Sequence, residues 1–134
     1  MTNYISLKAG LFKFLLAQGI TTYVYYRELP QNPSYPATVY TMTDDYTADE
    51  HQQGPGLRRA VLQVDVLAES VAEVEEAAEK YYALLAGYRG TLSVPGFTSV
   101  SIRDEGANLD TAFFNESLNK KIEIRGRSFE VTYK

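Results

Sequence analysis

The only histidine of the chain, His51, sits in a stretch dense with carboxylates: Asp44, Asp45, Asp49 and Glu50 precede it, with Tyr46 among them. An imidazole titrates near neutrality, so this is where acid–base chemistry would be sought first. The setting reads instead as a solvated loop histidine. The same acids could ligate a cation, but DDYTADEH lacks the central glycine and terminal glutamate of an oxygen-rich calcium loop. Gly54, Pro55 and Gly56 lead into a strand, which leaves no helix N-terminus to cradle a phosphate. There is no cysteine, which removes thiolate zinc sites, cysteine nucleophiles and disulfides and fits a reducing compartment. No catalytic residue, metal site or cofactor is expected.

The arginines Arg58, Arg59, Arg103, Arg125 and Arg127 offer a second candidate, a basic strip for nucleic acid. The formal net charge of -4 argues against it, since sequence-independent affinity depends on neutralising many phosphates. Arginines on a sheet are more often cross-strand charge pairs. Eleven tyrosines without a tryptophan suit an interface-rich protein as readily as a ligand site.

Charge is unevenly spread along the 134 residues. From Asp44 to Glu79 ten acids stand against Arg58 and Arg59, whereas from Asn119 to Lys134 five basic residues stand against Glu123 and Glu130. Opposed faces of this kind let copies stack head to tail and close into rings; an ordinary solvated surface is the plainer reading.

The elements that would position these residues follow from periodicity. In GPGLRRAVLQVDVLAES, Ala60, Leu62, Val64 and Val66 alternate with Val61, Gln63 and Asp65, as in a half-buried strand. Ser70 and Glu73 form a capping box. Val71, Val74, Ala78, Tyr81, Tyr82 and Leu85 then recur at helical spacing until Gly87, and the segment 88–92 turns the chain back. Upstream, Ile5 to Gln18 reads as an amphipathic helix, too short for a membrane span. Thr21 to Arg27 reads as a strand, and Pro30, Pro33 and Pro36 as an extended connector into a strand from Ala37 to Met42.

Downstream of the second helix, Phe97 to Arg103 alternates as a strand, whereas GANLDTAFFNESLN has no sustained period and reads as a loop. In the last segment Ile122 and Ile124 occupy even positions but Phe129, Val131 and Tyr133 odd ones. Either Gly126 marks a bulge that restores one inward face, or residues 120–125 form a separate edge segment. The expected fold is a single α+β domain over residues 1–134, with two helices packed on a mostly antiparallel sheet of about four to five strands.

The first helix, the approach to PATVY, the motif GLRRAVLQVDVLAES, the helix ending LLAGYRGTL, the strand around SIRDE and the closing RSFEVTYK together resemble the small tail-completion, or tail-terminator, proteins of long-tailed bacteriophages. The likeness runs from Ile5 to Tyr133, and GANLDTAFFNESLN departs from it. It implies a structural virion protein of the tail or neck, assembled in the host cytoplasm, with no catalysis and no cofactor. It further implies a homo-oligomeric ring, typically of six, that caps the head-proximal end of the tail tube, stops its growth and joins it to the head connector. Its partners would be itself, the tail tube protein and the head connector or head-closure protein. DNA would pass through without specific binding, and no membrane would be involved. The alternative is a head-closure or other neck or minor tail protein of the same virion. Contacts with partners are expected at Asp44, Asp45, Tyr46, Asp49 and Glu50 of the polar loop and at Arg58, Arg59, Arg125 and Arg127.

Overall fold

A computed structural model of the chain describes residues 4–31, 33–44, 58–92, 99–116 and 119–134. Helix α1, Tyr4–Gln18, buries Leu7, Leu11, Phe14 and Leu15, a spacing that keeps them on one side. It stops at Gly19, which takes a left-handed φ of 65° and donates its N–H to the Leu16 carbonyl at 3.2 Å. Strand β1, Tyr23–Tyr26, follows, and then β2, Ala37–Asp44. Strand β3, Arg58–Ala68, buries Ala60, Leu62, Val64 and Val66, as its alternation predicts.

Helix α2, Val71–Leu85, starts where Ser70 Oγ accepts the Glu73 N–H at 3.2 Å. Its buried residues are Val74, Ala77, Tyr81 and Leu85, whereas Val71 is exposed. After Gly87 come the short β4, Arg89–Gly90, then β5, Val100–Asn115, and β6, Lys120–Tyr133.

The strands form one sheet in the order β1-β2-β3-β6-β5-β4, parallel between β1 and β2 and antiparallel at every other step. The α+β class and the two helices are as expected, but the sheet has six strands, not four to five. The sixth is β4, a ladder step inside the segment read only as a turn.

Both helices cover one face. Their core joins Leu11, Leu15, Val74, Tyr81 and Leu85 to Tyr40, Leu62, Val64, Ile102, Phe129 and Val131 from the sheet. Within it, Tyr81 Oη meets Thr38 Oγ1 at 2.7 Å and Thr38 Oγ1 meets Thr21 Oγ1 at 2.6 Å, so the polar atoms buried there are satisfied in a chain. The opposite face carries a second, smaller cluster: Val39, Leu67 and Ile122, packed with Tyr25, Leu29, Tyr35 and Ile124.

This second cluster corrects both readings of the last strand. Strand β6 pairs with β3 without interruption from Glu123 to Tyr133, so it has neither a bulge at Gly126 nor a detached segment. Ile122 and Ile124 face one way and Phe129, Val131 and Tyr133 the other, and apolar partners await both sets. The bulge lies across the ladder in β5, between Asp104 and Asn108, where Gly106 has a φ of 85°.

Most of the segment read as a loop is therefore strand. Residues 108–115 pair in register with β6, from Asn108 opposite Arg127 to Asn115 opposite Lys120. Periodicity fails there because both faces of this part of β5 are largely open to solvent, so neither has to be apolar.

Candidate functional site

Of the acidic loop, only Asp44 falls within the described residues, as the last residue of β2, opposite Ala60. Asp45, Tyr46, Asp49, Glu50 and His51 lie outside them. Among the described residues, no group of three or more His, Cys, Asp or Glu side chains is placed to hold a metal ion. No helix of the described residues is long and apolar enough to cross a membrane.

The four candidate arginines are not gathered into one surface. Arg58 opens β3 opposite Tyr133. Arg59, one residue on, points to the opposite face and reaches Glu130 at 3.6 Å; Glu130 also takes Arg103 at 2.9 Å. That face is polar through its middle: Gln63 Nε2 donates to Asp65 Oδ1 at 2.8 Å, and Ser128 Oγ donates to Gln63 Oε1. Burial of Asp65 pushes its carboxyl above the ordinary carboxylate range, and the Gln63 hydrogen bond offsets only part of that.

Arg125 and Arg127 do come together, on the helix-covered face. With Glu75, Glu79 and Asp110 they line a cleft of about 160 Å³ between α2 and the β5–β6 hairpin. Arg125 Nη1 lies 2.8 Å from Asp110 Oδ1 and 3.3 Å from Glu123 Oε1. Arg127 sits 4.3 Å above the Tyr82 ring centroid, with Asp104 at 3.9 Å. Lys120 binds Glu69 at 2.7 Å and Lys121 binds Glu123 at 3.4 Å. The basic stretch of β6 is thus neutralised locally and does not present an uncompensated positive face. With carboxylates outnumbering the two guanidinium groups, the cleft suits charge pairing within the subunit better than capture of an anion.

A different set of residues, the exposed apolar ones, was not among the expected contact residues, although the sequence marks Phe113 and Phe114 as needing apolar surface in the monomer or a partner. On α1, Phe12 and Leu16 are exposed beside the buried stripe; on β1, Tyr23 is exposed; on β5, Leu109, Phe113 and Phe114 are exposed, the last at 58%. For Phe113 and Phe114 that mark is their place in an otherwise polar stretch. For Phe12 and Leu16 it is the run from Leu11 to Leu16, broken only by Lys13, which holds more large apolar residues than one buried stripe can take. Apart from Val71, at the start of α2, these residues fall in two groups, one at and beside β1 and the other on β5, next to the far end of the strand order.

No protein-family model matches the chain, and no curated protein matches it. Among solved structures, a chain of the virion of a native gene transfer agent (GTA) particle is similar over 97% of this chain and 90% of its own, with 16% identity and a TM-score of 0.49.

Proposed function

We propose that this protein is a structural subunit of a phage-type virion that closes the head-proximal end of the tail tube as a homo-oligomeric ring, typically of six copies. The observation that carries this reading is the placement of exposed apolar groups at two unlike places, Phe12, Leu16 and Tyr23 near one end of the strand order and Leu109, Phe113 and Phe114 near the other. Unlike patches on one subunit favour head-to-tail contacts, and such contacts close into rings when the rotation allows. The tail-terminator likeness of PATVY, GLRRAVLQVDVLAES and GYRGTL supplies the place of that ring in the virion.

In this reading the protein acts by occupancy. Its ring covers the surface on which the tail tube protein would add, and it offers the head connector or head-closure protein a different surface, so growth stops and joining begins. DNA passes through without specific binding, consistent with the acidic balance of the chain. Assembly takes place in the host cytoplasm, and no cofactor or catalytic step is needed.

Averaged electron cryomicroscopy of the neck, with the subunit labelled, tests the location. A layer of rotationally arranged copies between tube and connector is expected. A label in the head-closure layer would favour the neck-protein alternative, and a single copy would contradict the ring.

A further inference from the structure

We infer that residues 108–114 of β5 dock along the β1 edge of a second copy of this chain, so that the sheets of neighbouring subunits run on into one another. This rests on the ring reading above and names the contact that would close the ring.

Strand β4 covers β5 only at Val100 and Ser101, and two backbone hydrogen bonds of 2.9 Å, Gly87 N–H to Ile102 O and Ile102 N–H to Tyr88 O, end that cover. Beyond Ile102, among the described residues, no strand pairs with the outer side of β5. Sheet edges left open in this way are usually blunted by charge, proline or a bulge. The bulge between Asp104 and Asn108 does that for the inner part of β5. Past it, NLDTAFF holds one charge and no proline and exposes Leu109, Phe113 and Phe114. A long apolar edge of this kind is a template for another chain.

At the opposite end of the sheet, β1 has one strand neighbour among the described residues. Its direction suits β5. Strand β1 runs parallel to β2, and the three steps from β2 through β3 and β6 to β5 are each antiparallel, so β1 and β5 run in opposite directions. Two subunits side by side in the same orientation would therefore bring β5 of one against β1 of the next as an antiparallel pair, the more stable kind.

Side chains and charge fit the same arrangement. The register places Tyr23, Ala37, Leu67, Ile124 and Thr111 in one row across the face opposite the helices, with Leu109 and Phe113 one step to either side of Thr111. Continuing the sheet would set those β5 residues beside Tyr23 and Tyr25, whose rings stack at 6.5 Å. On the helix face it would bring Phe114 towards Phe12 and Leu16 of α1. From Tyr4 to Tyr26 the chain carries Lys8 and Lys13 and no acid, a balance of +2. From Arg103 to Arg127, with Glu75 and Glu79 of α2 beside them, Glu75, Glu79, Asp104, Glu105, Asp110, Glu116 and Glu123 stand against Arg103, Lys120, Lys121, Arg125 and Arg127, seven acids less five bases, or −2. Opposite signs on the two edges steer unlike edges together and hold like edges apart.

The chain has no cysteine, so disulfide trapping reads this contact directly. Tyr23→Cys is combined in turn with Leu109→Cys, Thr111→Cys and Phe113→Cys, all exposed positions, in protein assembled on tails or concentrated to form rings. Paired residues of an antiparallel ladder have Cα atoms about 4.5–5.5 Å apart, within disulfide reach of about 4.4–6.8 Å. At least one double variant should give, on a non-reducing gel, a covalent ladder that stops at the ring number, and each single variant should remain uncrosslinked. Rings seen by native mass measurement with no crosslinking in any double variant would overturn the inference and leave the ring reading standing. Single variants crosslinking as well as the doubles would also overturn it, since like edges would then be meeting. Absence of rings, in solution and on tails, would overturn both.

Discussion

The carboxylate of Asp65 occupies the space that a side chain at position 126 would need. An added Cβ at Gly126 would fall against Asp65 Oδ1 and lie 2.9 Å from Gln63 Nε2 and 3.2 Å from Leu109 Cβ. Gly126 stands opposite Asp65 in the β3–β6 ladder and opposite Leu109 in the β5–β6 ladder, so this glycine serves a close approach between three strands in a regular stretch of ladder.

Gly126→Ala should therefore destabilise the protein by roughly 1–3 kcal/mol, the usual cost of overpacking. Asp65→Ala in the same chain should recover most of the loss, because it clears the nearest obstacle. Urea titration of the two single variants and the double variant checks both statements. Full additivity of the single effects would mean that the two residues do not compete for space.

Asp65 itself should make stability pH-dependent. Its carboxyl is raised above its unfolded value by burial, so the folded state holds the proton more tightly. Stability from this group is then present in full below the unfolded value of about 3.9 and is lost as pH rises through the raised folded value. Asp65→Asn should accordingly raise the melting temperature relative to the native protein at pH 7, with the difference shrinking towards about pH 3.5. The check is thermal melting across that range; an equal difference at every pH would contradict it.

Much of the fold was legible in the sequence because the helix-facing core obeys simple periods. Ala60, Leu62, Val64 and Val66 alternate, Ser70 accepts from Glu73 as a cap, and Gly19 and Gly87 end the two helices in left-handed backbone. What failed was any inference that assumed a single core. Ile122 and Ile124 looked out of phase only because a second cluster, built with Tyr25, Leu29 and Tyr35 from a distant part of the chain, buries the other face. The outer part of β5 was hidden because backbone pairing to β6, and no apolar face, holds it as a strand. As for the candidate site, Arg125 and Arg127 are close together as the sequence suggests, but Asp110, Asp104 and Glu123 meet them through strand pairing that no local pattern announces.

The helix-to-sheet core should not tolerate charge. Leu85 and Val74 are fully buried, so Leu85→Asp or Val74→Asp should prevent folding; an unpaired buried carboxylate costs on the order of several kcal/mol against a total of roughly 5–15 kcal/mol. Glu75→Ala, on the exposed side of the same helix, should shift the melting temperature little. Circular dichroism during heating distinguishes them, and native-like melting of Leu85→Asp would contradict the burial described for α2.

The proposed role is termination of the tail by occupancy. The measurement that tests it most directly is the distribution of tail lengths, with the fraction of joined particles, in negative-stain images of virions assembled without this protein. Filled heads and polymerised tubes should still be present, with the tails unjoined and many of them overgrown. Joined tails of normal length in the complete absence of the protein would contradict the terminator role.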